Sequence, residues 1–197
     1  MKEILPGIFQ WSWFSDEKGY DFNGHIIVSG AERVMIDPPP LSAEDEAWLQ
    51  KQGPIACIVL TNRDHVREAE AYRKQFKTIV LAPELDAPLM EIKVDRTFKD
   101  GDLLPGGIKA IHVPDGKSPG ESALFLDRGK GILILGDALI GKTLGRLNLM
   151  PPEKYKDPST AREGIRMLLN YTFDSILLGD GASILTGGKR AVEEFLR

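Results

Sequence analysis

The sequence has a single cysteine, no long apolar run and no cluster of basic residues. Cys57 is the only cysteine among 197 residues, so no disulfide can form within the chain. Its position inside an apolar run predicts a buried side chain and not a nucleophile. No run of 18 apolar residues occurs, and the first residues, MKEILPGIFQW, lack the apolar segment of a signal peptide. We therefore expect a soluble, cytoplasmic protein.

The chain has slightly fewer basic than acidic residues. The chain has 25 Lys and Arg against 29 Asp and Glu, a formal net charge of −4 at pH 7. This balance argues against nucleic acid and against an anionic membrane as the main partner, and we expect a small-molecule substrate. The hydrophobic share of 42% is ordinary for a globular chain that buries a full core, so we expect a single domain over residues 1–197. An exposed hairpin edge could pair two copies into a homodimer.

Apolar runs that alternate with helical patterns predict an α/β fold. The six apolar residues from Ile55 to Leu60 indicate a strand buried on both faces, and a helical pattern follows over residues 66–76. Residues 131–136 and 175–178 indicate two further buried strands. Residues 26–36 have the pattern of a hairpin. We predict two sheets with helices on their outer faces.

Each of the three buried strands ends in a turn that contains an acidic residue. The first is followed by Asp64 and His65, the second by Asp137 and the third by Asp180. In α/β folds, ligands lie beyond the carboxyl ends of strands, so these four residues could converge. Carboxylates that lie close together repel one another unless they are protonated or bridged by a cation. A divalent metal ion held by carboxylates and one imidazole satisfies that requirement.

Each of these residues also has a purely structural interpretation. Asp64 could cap the helix that follows it, and His65 could be a solvated residue of the first helical turn. Asp137 and Asp180 stand next to glycines, where aspartates are common turn residues. The spacing alone leaves these alternatives open.

Six segments occur in an order and spacing that resemble a known family. They are HIIVSGAERVMIDPP (25–39), LTNRDH (60–65), HVPDGKSPGESALFL (112–126), LGDA (135–138), GKTLGR (141–146) and LGDG (178–181). Together they resemble the metallo-β-lactamase superfamily, and within it the glyoxalase-II-like hydrolases. The resemblance covers nearly the whole chain. It implies a four-layer αββα sandwich with its site at one edge of the two sheets.

The chain departs from the family pattern at the first of the two metal sites. Leu60 and Asn62 stand where the resemblance places two histidine ligands. Lys117, or Gly116 under a shifted alignment, stands where it places the third. Leucine cannot ligate a metal, and a lysine ammonium is itself a cation. The resemblance therefore implies a degenerate site in which the first metal position is lost.

The second metal site keeps most of its ligand positions. The resemblance implies that Asp64, His65, Asp137 and Asp180 would hold the metal, with Asp180 standing in place of a histidine. Such an oxygen-rich set suits manganese, iron, magnesium or calcium at least as well as zinc. We expect one divalent metal ion, with zinc, manganese and iron as candidates, or none.

Lys117 suggests a replacement for the missing first metal. Its ammonium could occupy that space, pair with Asp137 and polarise a substrate oxygen. The alternative is a solvated loop lysine.

Four further residues are candidates for substrate binding. Lys142 and Arg146 lie in the loop after Asp137 and could bind an anionic substrate. Asn62 and Arg63 lie in the first strand-end turn and are assigned to the same role.

Two main functions remain open from the sequence, besides a metal-independent enzyme that would use the same cleft. The first is a metal-dependent hydrolase in which Asp64 and Lys117 are catalytic and an activated water attacks an ester, thioester, lactone or phosphoester. The substrate classes come from the resemblance alone. The second is a metal-free member of the family that acts as a ligand-binding or interaction module.

Overall fold

The computed structural model describes residues 1–197 and contains fourteen strands and four α-helices. The strands are β1 (Lys2–Leu5), β2 (Ile8–Ser15), β3 (Tyr20–Ser29), β4 (Glu32–Ile36), β5 (Cys57–Val59), β6 (Ile79–Pro83), β7 (Arg96–Phe98), β8 (Leu103–Leu104), β9 (Ile108–His112), β10 (Ser122–Leu126), β11 (Ile132–Leu135), β12 (Ile140–Thr143), β13 (Arg146–Asn148) and β14 (Ser175–Leu178). The helices are α1 (Ala43–Lys51), α2 (Ala69–Gln75), α3 (Pro158–Gly164) and α4 (Gly188–Phe195). None of the helices combines the length and apolar character needed to cross a membrane.

The strands form two main sheets and a small third one. The first sheet runs in the order β1 to β7, antiparallel as far as β4 and parallel from β4 to β7. The second sheet has the order β14-β11-β10-β9-β8, and its β11 and β14 are parallel. Strands β12 and β13 form a separate hairpin. Each main sheet therefore contains parallel strands whose carboxyl ends can carry a site.

Three layers of buried apolar residues hold the sheets and helices together. Ile27 and Val59 of the first sheet pack with Leu124 and Leu177 of the second in the layer between the sheets. A second layer lies on the outer face of the first sheet and includes α1 and α2 residues. A third lies on the outer face of the second sheet and includes α4 residues. This arrangement confirms the predicted αββα sandwich.

Two helix starts follow the local chemistry of the sequence. The Ser42 side chain caps α1 by accepting a hydrogen bond from the backbone N–H of Asp45. Asp157 caps α3 by accepting from the N–H of Ser159, and Pro158 occupies the first helical position. Both starts follow from the residue types that favour helix N-termini.

The segment after β5 differs from the predicted continuous helix. Residues 63–65 form a short 3₁₀ turn, and α2 begins only at Ala69. Arg67 between them has a left-handed backbone conformation with φ of 41°, which interrupts the helix. The break changes the direction of the chain directly after His65.

The three strands that end in acidic turns are not all neighbours. β11 and β14 pair with each other, whereas β5 lies in the opposite sheet. Their ends meet across the sandwich because two glycines permit close approach. A Cβ atom at Gly136 would lie 2.2 Å from Thr61 Oγ1, and one at Gly179 would lie 2.7 Å from His65 Cε1.

His25 is a buried polar residue within the layer between the sheets. It lies on β3 between Asn23 and Ile27, which share its face of the strand. Its side chain is fully buried, and neither ring nitrogen has a hydrogen-bond partner. Burial is the main effect and lowers the pKa of His25 to about 4, while the Asp37 carboxylate acts in the opposite direction.

We predict that His25 makes the folded state sensitive to acid. The unfolded chain binds a proton at this histidine below about pH 6.5, and the folded chain does so only below about pH 4. Stability is therefore lost as the pH falls through that window, by about 2 kcal/mol at pH 5. Between pH 7.5 and pH 5, the free energy of unfolding measured in urea should fall less for His25→Leu than for the wild type. Equal losses in both proteins would contradict the assignment.

Candidate functional site

His65 is held by a buried carboxylate at the end of β4. Its Nδ1 lies 2.8 Å from Asp37 Oδ2. Asp37 also accepts hydrogen bonds from the Thr61 backbone N–H at 2.8 Å and from the Thr61 hydroxyl at 2.6 Å. Because the Asp37 carboxylate binds Nδ1, the imidazole is fixed in an orientation in which Nε2 points away from Asp37.

Two carboxylates from the second sheet face that Nε2 atom. It lies 3.5 Å from Asp137 Oδ1 and 3.9 Å from Asp180 Oδ1. One ligand atom from each of the three residues lies within 4.8 Å of the others, and all three residues are buried. The two aspartates meet because β11 and β14 are parallel neighbours, and each aspartate stands two residues beyond its strand. One imidazole and two carboxylates form a donor set suited to a divalent metal ion.

Arg67 also binds this group, although the sequence pattern gave no sign of it. Its Nη2 donates to Asp180 Oδ1 at 2.6 Å and to the Gly179 carbonyl at 3.1 Å. Its Nη1 donates to the carbonyls of Asn23 and Asp37 at 2.8 Å and 2.9 Å. The guanidinium therefore joins both sheets and neutralises Asp180.

Lys117 supplies a second, partly buried cation. Its Nζ lies 2.7 Å from Asp137 Oδ2 and 3.0 Å from Asp64 Oδ2. The predicted ion pair with Asp137 is thus present. Asp64 stands outside the metal-competent group and is 42% exposed. It does not cap the following turn either, because Asn62 does so by accepting from the Asp64 backbone N–H.

The charges in the site shift one another's pKa values. Burial and the Arg67 charge lower the pKa of His65, but Asp37 and Asp137 outweigh them and raise it to about 10. Burial alone would raise the pKa of Asp137, yet His65 and Lys117 bring it below its usual range. Burial raises the pKa of Asp180 despite the opposing effects of His65 and Arg67. Without a bound metal, the site therefore favours a protonated His65 beside an ionised Asp137.

Glu121 adds a fully buried acid that the sequence reasoning missed. Its Oε1 accepts hydrogen bonds from Asn62 Nδ2 at 3.3 Å and from the Ala138 backbone N–H at 3.1 Å. Its Oε2 has no partner. Burial, aided by the Asp137 charge, raises the pKa of Glu121 well above its usual value. Asn62 is thus bound within the protein through both ends of its side chain.

The other three residues assigned to substrate binding lie outside the group formed by His65, Asp137 and Asp180. Arg63 lines an open groove of about 370 Å³ together with Asp64, Leu89 and Met90. Arg146 is exposed and lines a groove of about 600 Å³ between β13 and α4 that contains none of the clustered carboxylates. Lys142 is exposed on β12.

Comparison with family models identifies the family of the chain. The model of a family described as the metallo-beta-lactamase superfamily matches residues 1–197. No curated protein matches the chain.

Solved structures share the fold at low sequence identity. The DIM-1 metallo-beta-lactamase exposed to ceftazidime is similar with a TM-score of 0.81 and 16% identity, over 99% of this chain and 94% of that one. A metallo-beta-lactamase from Pontibacter korlensis has a TM-score of 0.77 and 18% identity, over 99% and 97% of the two chains. One from Hirschia baltica has a TM-score of 0.70 and 15% identity, over 100% and 96%.

We predict that Arg67 is essential for stability. Arg67→Gln would leave Asp180 buried without its cation and would lower the free energy of unfolding by about 3 kcal/mol. Arg166→Gln is the matched control, since Arg166 forms an exposed ion pair with Glu163 and should matter little. Chemical denaturation measures the free energy of unfolding of both variants. Similar, small effects for the two variants would contradict the role of Arg67.

Proposed function

This chain belongs to the metallo-β-lactamase superfamily, and we propose that it is a hydrolase that uses one divalent metal ion bound by His65, Asp137 and Asp180. The observation that carries the proposal is the close approach of His65 Nε2 to the two carboxylates. A metal ion bound there would supply an activated water as the nucleophile. Manganese, iron and zinc are the candidates, since the donor set combines oxygen atoms with one imidazole.

The chain's own residues prepare the group for such an ion. Asp37 holds the His65 imidazole by its Nδ1, so that Nε2 is the ring atom that faces the carboxylates. Burial of all three residues removes competing water. Asp180 also binds Arg67, and Asp137 also binds Lys117, so each carboxylate would be shared between a cation of the protein and the proposed metal.

Lys117 is proposed to replace the lost first metal as the electrophile. Its side chain is 17% exposed, so the ammonium is held by Asp137 and Asp64 but keeps some access from solvent. An ammonium in this position can stabilise the negative charge that develops on a carbonyl or phosphoryl oxygen. We accordingly propose that Asp64 holds the Lys117 ammonium and is not a metal ligand. The proposal includes the loss of the first metal site. Leu60 is fully buried and Asn62 is bound to Glu121, so neither offers a metal ligand there.

Esters, thioesters, lactones and phosphoesters remain the proposed substrate classes. They rest on the resemblance to the glyoxalase-II-like branch, a finer assignment than the superfamily match provides.

A metal-independent binding module is the second candidate function. It is favoured by one observation: Lys117 and Arg67 already neutralise Asp137 and Asp180. In this alternative the two cations replace the metal ion altogether, and the protein binds an anionic ligand beside them.

We predict that the wild-type protein binds about one equivalent of metal. Addition of Mn²⁺, Zn²⁺ or Fe²⁺ to EDTA-treated protein at about 100 times the Kd should stabilise it by about 3 kcal/mol, or roughly 5–10 °C in Tm. Asp137→Asn should lose stoichiometric metal by elemental analysis. Asp95→Asn is the matched control, because Asp95 binds Arg73 at another edge of the first sheet. No metal and no Tm shift in the wild type would favour the second candidate.

We predict that Lys117 contributes to the turnover of a responsive substrate. A panel of chromogenic esters, thioesters, lactones and phosphoesters identifies that substrate first. Lys117→Gln should then lower kcat by about 100-fold with little change in KM, because oxyanion stabilisation acts mainly in the transition state. Lys130→Gln, which removes an exposed lysine, should leave kcat unchanged. A normal kcat in Lys117→Gln would contradict the electrophile assignment.

A further inference from the structure

Asp86 is a buried carboxylate that no step of the proposed reaction uses. It follows β6 and has no solvent-exposed surface. Its oxygen atoms accept hydrogen bonds from the Ser118 hydroxyl at 2.6 Å, the Gly120 backbone N–H at 2.7 Å and the Arg63 backbone N–H at 2.8 Å. None of these partners is a basic side chain. Asp86 is therefore held by hydrogen bonds from N–H and O–H donors and not by an ion pair.

The partners of Asp86 belong to the two segments that carry the Lys117–Asp64 ion pair. Ser118 directly follows Lys117, and Arg63 directly precedes Asp64. A single carboxylate thus joins the backbone next to the ammonium to the backbone next to its acidic partner. Both oxygens contribute, since Oδ1 binds Gly120 while Oδ2 binds Ser118 and Arg63.

The loop that carries Lys117 is shaped around Asp86. A Cβ atom at Gly120 would lie 2.7 Å from Asp86 Cγ, so the carboxylate fits only because residue 120 has no side chain. At the other end of the loop, a Cβ atom at Gly116 would lie 2.7 Å from Glu121 Cβ. The hydrogen bonds to Asp86 therefore hold the middle of residues 116–121, a segment without helix or strand before Ser122.

We propose that Asp86 is a positioning residue that holds the Lys117 ammonium between Asp64 and Asp137. A lysine side chain has many rotamers, and a loop that could move would hold its ammonium in many places. Stabilisation of developing charge requires a donor that is in place before the reaction. The catalytic consequence rests on the proposed hydrolase function. The positioning itself depends only on the contacts of Asp86 and applies with or without metal.

The experiment compares the Lys117 ammonium by ¹⁵N NMR in the wild type, in Asp86→Asn and in Asp95→Asn. An ammonium held by two carboxylates exchanges its protons slowly enough to give a resonance, which is assigned by its loss in Lys117→Gln. Asp86→Asn replaces an acceptor oxygen by an NH₂ group that faces N–H or O–H donors. This variant should broaden the Lys117 resonance or raise its exchange rate at least several-fold.

Asp95→Asn is the matched control for a general loss of stability. Asp95 accepts a hydrogen bond from the Val80 backbone N–H and pairs with Arg73, but it contacts neither the Lys117 loop nor the turn at Asp64. The Lys117 resonance should be unchanged in this variant. An unchanged resonance in folded Asp86→Asn, or an equal change in Asp95→Asn, would overturn the proposal.

Ser118→Ala keeps the proposal testable if Asp86→Asn does not fold. It removes one of the three hydrogen bonds and should give a smaller increase in the exchange rate. An unchanged exchange rate in Ser118→Ala would overturn the proposal in that case.

Kinetics separate this inference from the proposed function. With a responsive substrate, Asp86→Asn should lower kcat by about 10-fold or more, and the double variant with Lys117→Gln should be no slower than Lys117→Gln alone. Additive losses would overturn the positioning role. If the wild type neither binds metal nor hydrolyses any substrate, the hydrolase proposal fails, and the NMR comparison decides the role of Asp86 by itself.

Discussion

Negative charge buried at the shared edge of the two sheets is the constraint on which the rest of the site depends. Asp37, Asp137 and Asp180 are each almost completely buried and lie around one imidazole. Carboxylates in such a position destabilise a fold unless positive charge or protons compensate them. Arg67 and Lys117 provide that compensation from two directions, and His65 provides it from the centre.

The same constraint explains two departures from regular backbone. Asp37 and Arg67 both adopt positive φ angles, of 45° and 41°, although neither is glycine. Such conformations persist where surrounding contacts over-determine them. Here the Asp37 carboxylate must reach His65 and the Arg67 guanidinium must reach Asp180, and these contacts outweigh the local strain. Asp37 and Arg67 are two of the four non-glycine residues with positive φ angles, and the other two are Lys77 and Asp115.

Local patterns predicted the site only in part. A buried apolar run followed by an acidic turn marks a strand end, and this pattern identified Asp137 and Asp180 correctly as strand-end residues. Lys117 was found as the partner of Asp137 through the family resemblance. Arg67 was missed because its neighbours follow a helical pattern, in which an arginine is expected to face solvent. Glu121 was missed because it lies between a glycine and a strand, where nothing in the sequence indicates burial.

The chain's own pattern of apolar and polar residues was enough to predict an α/β fold with two sheets and the acids that end its buried strands. These features depend on residues close together in the sequence, whose periodicity and turn chemistry are local. The pairing of cations with carboxylates was decided by the packing of one sheet on the other. Arg67 and Asp180 are 113 positions apart and meet only because glycines let the strand ends approach across the sandwich. A contact of that range has no local signature, since its energy arises when distant segments are buried together.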